Sequence, residues 1–380
     1  MLPVIILIFL MFSACYITLI LLYRWGWRKQ PLYVIPPQYV PQTFVSIVIP
    51  ARNEANNIGP CITSLLRQNY PRELLEIIVV DDHSTDGTTS VVEGFSDGNI
   101  TIIRLVDHMP DDKIVAYKKK ALSTAITMAR GELIITTDAD CIAGEDWLKN
   151  IVATYEMEHP VMIVAPVDYI TVPTNVSVFQ SLDFMSMQGI TGATHRLGLG
   201  NMCNGANLAF TREAYQAVRG YEGIDNLASG DDYLLMMKMQ KTFPGRISYL
   251  KSQAAIMKTQ PQPDWGSFLQ QRIRWASKSG KYDDKKLTFV LGLVYLYNLI
   301  FLLLVIGMAF YPVLKWTVLC YLLLKTAAEL YYLYSVAGFF NKRRELLLFP
   351  FFQPIHIMYI IVAGFLGLIG VYRWKGRVVK

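Results

Sequence analysis

Apolar residues along this chain fall into two kinds of segment, long uncharged runs near the ends and short strand-like runs in the middle. Residues 2–23, LPVIILIFLMFSACYITLILLY, carry no charge and are long enough to cross a bilayer as a helix. The run lacks a basic leader and is too long for the apolar core of a signal peptide, so it reads as an uncleaved anchor. Its FSAC fragment is only a weak match to a lipoprotein cleavage box, because the apolar run continues past Cys15. Residues 287–311 and 349–372 are again uncharged and long enough to span. Between them, 313–340 is apolar but holds Lys325 and Glu329, whose spacing puts them on one helix face where they can neutralise each other. The pattern predicts one span before the polar region and three after it.

The middle of the chain has a different rhythm. FVSIVIP is short, apolar and β-branched, and it leads into 54–69, where Ile58, Ile62, Leu65 and Leu66 fall at helical spacing. LLEIIVVDD, NITIIRLV, ELIITTD and VMIVAPVDY repeat the strand signal, and STDGTTSVVEGF, KKKALSTAITMA and EDWLKNIVATYEME supply helices between them. Strands alternating with helices predict an α/β domain with a mostly parallel sheet and helices on both faces. PLYVIPPQYVPQ is a Pro-rich, semi-rigid linker. The resulting division is an anchor at 1–24, a linker at 25–43, a catalytic domain at 44–286, a C-terminal transmembrane region at 287–373 and a basic tail at 374–380.

Composition adds a location. The 380 residues are 53% hydrophobic and 17% charged, with a net charge of +6. That charge is no nucleic-acid footprint, because basic residues gather at the membrane edges: Arg24, Arg28 and Lys29 after the first span, and Lys278, Lys281, Lys285 and Lys286 before the second. The positive-inside rule then makes 24–286 cytoplasmic in a multi-pass membrane protein. NKRRE at 341–345 agrees; YRWKGRVVK, after the last span, does not. The five cysteines show no C-x-x-C pairing, two lie in spans, and all read as reduced packing residues.

Candidate chemistry sits where strands end. In open parallel α/β sheets ligands bind beyond the carboxyl ends of the strands. Asp81 and Asp82 end one strand, Asp138 and Asp140 another, so both acidic pairs fall on one rim. Two like charges so close repel unless a cation relieves them. Hard carboxylate oxygens suit Mg²⁺ or Mn²⁺, which takes few carboxylates and fills its other positions with water and substrate phosphate.

VSIVIPARNEANNI, IIVVDDHSTDGT, KKKAL, TTDADC, NGANLAF, SGDDYLLM and QQRIRW occur in the order seen in family 2 glycosyltransferases of the GT-A fold. Over 44–280 the chain resembles the membrane-bound branch of that family. The resemblance implies a doubly wound GT-A sheet flanked by transmembrane helices, and a single inverting displacement without a covalent glycosyl-enzyme. It places the nucleotide's base and ribose on Asp81 or Asp82, with Pro50, Arg52, Asn53 and Glu54 on the neighbouring loop; Asp86 reads as a turn cap. Lys118 would face the diphosphate, and Asp138 and Asp140 would hold the metal, Mg²⁺ or Mn²⁺. Cys141 reads as packing, since a thiolate suits these ions poorly. Asn204, Gly205, Asn207 and Asp231 would line the acceptor side. Asp232 matches the general base that takes the acceptor hydroxyl's proton, while Asp231 or Ser229 can cap the helix that follows. Gln271, Arg274 and Trp275 share a helix face and match Q-x-x-R-W: Arg274 would meet the diphosphate and Trp275 the acceptor. Arg272 reads as interfacial.

The function expected from this is metal-dependent transfer of a sugar, from a UDP-sugar by default, to a membrane lipid or glycolipid. A processive polysaccharide synthase would share every motif, but three C-terminal segments are few for exporting a polymer. A catalytically silent scaffold would be expected to have lost acidic positions, and none is missing. A nucleotidyltransferase has no use for the Q-x-x-R-W helix.

Overall fold

The computed structural model describes all residues except 1, 109–115, 171, 200, 226, 228–229, 279–283, 370–371, 375–376 and 380. Lys281 and Ser229 therefore lie outside the described residues. The chain divides into two units, Pro31–Ile170 with Met202–Gln260, and Met1–Gln30 with Thr171–Asn201 and Pro261–Lys380.

The first unit is built on a seven-stranded sheet. Its parallel part comprises β1 (Val45–Ala51), β2 (Leu75–Asp81), β3 (Ile100–Arg104) and β4 (Leu133–Thr136), in the order β3-β2-β1-β4. A second, smaller sheet holds β5 (Cys141–Ile142) and β7 (Val167–Tyr169), while β6 (Met162–Val164) and β8 (Leu208–Thr211) extend the first. β9 (Ile247–Tyr249) closes the large sheet beside β6, and β10 (Met257–Thr259) lies between β5 and β7. β8 runs antiparallel to both β4 and β6. The central strands read as continuous apolar runs because both faces are covered: every residue of β2 is buried, as is all of β1 but Pro50. VMIVAPVDY, one strand signal in the sequence, splits between the two sheets. Pro166 has no N–H for a ladder, and its carbonyl instead accepts from Asn207 Nδ2 at 2.7 Å and Met257 N at 3.0 Å.

At the end of the sheet away from the acidic pairs, Ser46, Glu76, Arg130 and Gly131 lock β1 and β2 to the turn before β4. Ser46 Oγ and Arg130 N donate to Glu76 Oε1 at 2.5 and 2.6 Å, and Gly131 N donates to Ser46 Oγ at 2.7 Å.

The second unit is helical: Leu2–Lys29, Asn175–Leu197, Trp265–Ala276, Lys285–Gly307, Leu314–Phe339 and Phe349–Ile369. Among the described residues, three helical stretches are long and apolar enough to cross a membrane, Leu2–Lys29, Lys285–Gly307 and Glu345–Ile369. The expected span at 313–340 is a helix, Leu314–Phe339, but it is not among those three. Lys325 and Glu329 pair on one face as their spacing predicted, and both are buried. Glu329 also accepts from Tyr16 and Gln353.

Asn175–Leu197 lies inside the range expected for the catalytic domain, yet it belongs to the helical unit. Thr174 caps its start by accepting from Ser177 N at 3.2 Å, and Gly198, at φ +63°, ends it. Its buried face carries Gln180, Ser181, Asp183, Gln188, Thr191 and Thr194, so no apolar stripe announces it. A Cβ on Gly189 would stand 2.6 Å from Val336, which shows how closely this helix approaches Leu314–Phe339.

A Cβ on Gly131 would meet Ser46 N at 2.5 Å and Val45 C at 2.9 Å, both backbone atoms at the start of a central strand. Gly131→Ala is therefore expected to destabilise the sheet unit by about 1–3 kcal/mol or more, as overpacking does. Thermal melts of the purified protein measure it, and an unchanged midpoint would contradict the packing described.

Candidate active site

The loops after β1 and β2 are tied into one surface. Asp82 N donates to Ala51 O at 2.8 Å, and Arg52 Nη1 returns to Asp82 O at 2.8 Å. Asn53 adopts φ +51°, which asparagine tolerates better than most residues, and its Oδ1 accepts from Thr85 N at 2.8 Å. Glu54 N donates to Thr88 Oγ1 at 2.8 Å, while Glu54 Oε2 accepts from Asn57 Nδ2 at 2.7 Å. Asp86 caps as expected, accepting from Thr88 N at 3.1 Å and from Ala55 N at 3.0 Å. Asp81 and Asp82 are both buried at this edge, and Ser84 N approaches Asp81 Oδ1 at 3.3 Å. His83 bonds Asp82 at 2.9 Å and meets the Tyr117 ring edge-on, which links this loop to the helix that begins at Tyr117.

The next residue on that helix is the centre of the site. Lys118 Nζ donates to Asp138 Oδ1 at 2.8 Å and lies 3.4 Å from Asp231 Oδ2. One ammonium thus joins the end of β4 to the start of the Asp231–Thr242 helix. Burial disfavours its charge, but Asp138 and then Asp231 outweigh that and hold its pKa well above the ordinary lysine value. The three lysines, alike in sequence, have separate fates. Lys119 is buried and donates to Ile224 O and Leu227 O at 2.6 and 2.8 Å, while Lys120 is exposed.

The Asp231–Thr242 helix is entered through Gly230, at φ +79°, with no side chain capping it. Asp231 and Asp232 both lie in its first turn, where acids suit the helix dipole. Asp232 Oδ1 accepts from Tyr233 N at 2.8 Å and Oδ2 from Gly205 N at 3.0 Å, so its carboxylate is fixed against the 204–207 loop. Asn204 Oδ1 accepts from Ala206 N at 3.0 Å and shapes that loop. Lys118 thus faces Asp138 from one element and the Asp231–Asp232 helix start from another.

Two expectations are corrected. Asn207 does not line a surface. It is fully buried, with Oδ1 accepting from Trp147 Nε1 at 2.9 Å and Nδ2 donating to Pro166 O and Ala255 O, so its amide is a structural joint. Arg272 is not interfacial but buried, with Nη2 2.7 Å from Asp183 Oδ2. Gln271, Arg274 and Trp275 lie on the Trp265–Ala276 helix of the helical unit, all half-buried. Asp183 was missed because nothing in its local sequence distinguishes a buried helical aspartate from an exposed one.

The chain matches the model "Glycosyl transferase family 2" over residues 46–219 and "Glycosyl transferase family group 2" over residues 133–366. The chain belongs to the family 2 glycosyltransferases. It is similar to Glycosyltransferase AglE of Haloferax volcanii, 28% identical over 190 residues, which cover 50% of this chain and 59% of that protein. It is also similar to a dolichyl N-acetyl-alpha-D-glucosaminyl phosphate 3-beta-D-2,3-diacetamido-2,3-dideoxy-beta-D-glucuronosyltransferase of Methanococcus voltae, at 31% over 114 residues, 30% of this chain and 34% of that protein. This chain thus spans less than two thirds of either relative. The fold matches that of the mannosyltransferase PcManGT of Pyrobaculum calidifontis with a TM-score of 0.57 at 22% identity, covering 96% of this chain and 99% of the other.

The donor set of this glycosyltransferase fits a hard divalent cation of limited protein coordination. Asp138 and Asp140 are half-buried, and no group of three or more His, Cys, Asp or Glu ligands converges among the described residues. A cation here would take its remaining oxygens from water and a bound phosphate. The flanking thiols do not compete: burial, then the two aspartates, push Cys61 up to about 12 and raise Cys141 as well.

Lys118 carries the next expectation. Its pKa lies above the ordinary 10.5, so its contribution to stability is complete below that pH and is lost only as pH rises through the folded value. Lys118→Met should cost about 1–3 kcal/mol, because it leaves two carboxylates without their shared partner. Melting curves of wild type and Lys118→Met should keep a constant gap from about pH 7 to 10. A gap that closes within that window would show the ammonium titrating there.

Proposed function

We propose that this glycosyltransferase transfers one sugar from a nucleotide-sugar donor to a lipid or glycolipid acceptor, with inversion, at the cytoplasmic face of a membrane. The observation that carries the proposal is the Lys118-linked acidic rim, in which one ammonium joins Asp138 to Asp231, the residue beside Asp232 in the same first helical turn. Asp81 and Asp82, with Pro50, Arg52 and Glu54 on the tied loop, are assigned to the nucleotide. Asp138 and Asp140 are assigned to Mg²⁺ or Mn²⁺, which when bound would neutralise charge on the diphosphate. Asn204 and Gly205 are assigned to the acceptor side. Gln271, Arg274 and Trp275 keep the donor and acceptor roles that the family resemblance implies for them.

In the displacement, the acceptor hydroxyl oxygen bonds to the anomeric carbon as the bond from that carbon to the diphosphate oxygen breaks. The electron pair leaves with the nucleoside diphosphate, and the hydroxyl proton passes to Asp232. Two backbone N–H groups orient the Asp232 carboxylate while leaving acceptor capacity on both oxygens. Lys118, held charged by its neighbours, opposes the negative charge that develops on the leaving group.

The acceptor class draws on the long apolar helices, the basic last turn of Leu2–Lys29, and the lipid-linked sugar named for the Methanococcus voltae relative. The donor class and metal draw on the Pyrobaculum calidifontis structure, which contains GDP-Man and Mn²⁺. The basic residues Arg28 and Lys29 in that last turn support a cytoplasmic sheet unit.

Asp232→Asn tests the assignment of the base. It keeps the side chain's shape but cannot take the proton, so turnover should fall about 10²–10⁴-fold while nucleotide affinity stays close to wild type. Steady-state transfer and nucleotide titration read the two quantities, with Asp231→Asn beside it. Near-normal turnover at 232 with a large loss at 231 would move the base by one residue.

A further inference from the structure

Asp183 belongs to none of the motifs, yet its carboxylate accepts three side-chain hydrogen bonds inside the helical unit. Its side chain is 3% exposed. Arg272 Nε and Nη2 donate to Asp183 Oδ2 at 3.0 and 2.7 Å, and Tyr359 OH donates to Oδ1. His356 Nε2 stands 3.6 Å from Oδ1. Two donors on one oxygen fix the plane of the guanidinium as a single bond would not. Three helices, Asn175–Leu197, Trp265–Ala276 and Phe349–Ile369, thus meet at one carboxylate.

Arg272 passes that fixation on. Its Nη1 donates to Gln271 Oε1 at 2.7 Å, and its guanidinium carbon lies 4.2 Å from the centre of the Trp275 ring. Both neighbours are motif residues. A cavity of about 20 Å³ beside Asp183 is lined also by Ser186, Glu329 and His356.

We infer that Asp183 is a positioning residue for glycosyl transfer: acting through Arg272, it holds Gln271 and Trp275 in the orientation that the reaction uses. The inference rests on the reading of the Q-x-x-R-W helix as part of the transfer machinery. A buried ion pair is not needed for stability, since apolar pairs of similar volume do as well. Its value here is the angle at which it holds two functional side chains.

The test uses the full chain in membranes, with UDP and GDP as binding probes and a panel of radiolabelled nucleotide sugars for turnover. Asp183→Asn should lower turnover about 10- to 100-fold, the scale of a small misplacement, with affinity for the nucleotide that binds wild type changed less than about twofold. The double variant Asp183→Asn/Arg272→Met should turn over no more slowly than Arg272→Met alone, because residues acting through one another are not additive. Wild-type turnover in Asp183→Asn, or losses that multiply in the double variant, would overturn the inference. If Asp183→Asn fails to accumulate, Tyr359→Phe removes one bond to the carboxylate; it should lower turnover with unchanged nucleotide affinity, and unchanged turnover would overturn the inference equally. Normal turnover in Arg274→Ala would instead overturn the reading of the motif helix, which separates the two failures.

Discussion

Carboxylates brought to one rim repel one another before any substrate arrives. Two unit charges about 4 Å apart cost roughly 4 kcal/mol at an effective dielectric constant of 20. In this chain the Lys118 ammonium answers that constraint for Asp138 and Asp231. The rest of the sheet unit is arranged around it. β4 delivers Asp138 at its carboxyl end, the Tyr117–Met128 helix delivers Lys118 in its first turn, and Gly230 turns the chain so that Asp231 and Asp232 open a helix. The helix start favours the two acids electrostatically, and the 204–207 loop clamps Asp232 through a backbone N–H.

The helical unit meets the opposite problem, that of charge placed among apolar side chains. Two such pairs lie buried among the described residues: Asp183 with Arg272, and Lys325 with Glu329. Leaving one of these charges unpaired costs far more than the pair contributes, so each pair is a commitment of the fold to one relative placement of its helices. Asp183 makes that commitment across three helices, and Glu329 across three as well, through Tyr16 and Gln353.

Much of this was legible in the sequence, for physical reasons. Buried parallel strands must be apolar throughout, so β1, β2 and β4 appear as runs, and the polar residues that follow them mark the rim at their carboxyl ends. Asp81, Asp82, Asp138 and Asp140 were found in that way, and the order of the motifs assigned the family. What stayed hidden depends on partners remote in sequence. Asn175–Leu197 buries a polar face against other helices, which erases the periodicity that reveals amphipathic helices. Asn207 resembles a ligand-binding asparagine until Trp147, Pro166 and Ala255 are seen to consume its amide. Arg272 resembles a snorkelling interfacial arginine until Asp183, 89 positions away, is found beside it. In the run Lys118-Lys119-Lys120 the family resemblance alone singled out Lys118; the composition of the run does not, and helix phase turns it toward the acids.

The central claim is that the acidic rim, a divalent cation and a nucleotide sugar together pass one sugar to a lipid. The most direct measurement is incubation of membranes containing the protein with radiolabelled nucleotide sugars, with and without EDTA, followed by separation of lipid-extractable from polymeric product. The account predicts label from one nucleotide sugar in the lipid fraction, abolished by EDTA and by Asp138→Ala, with EDTA inhibition reversed by Mg²⁺ or Mn²⁺. Label that accumulates in polymer, or transfer that proceeds fully in chelator, would contradict it.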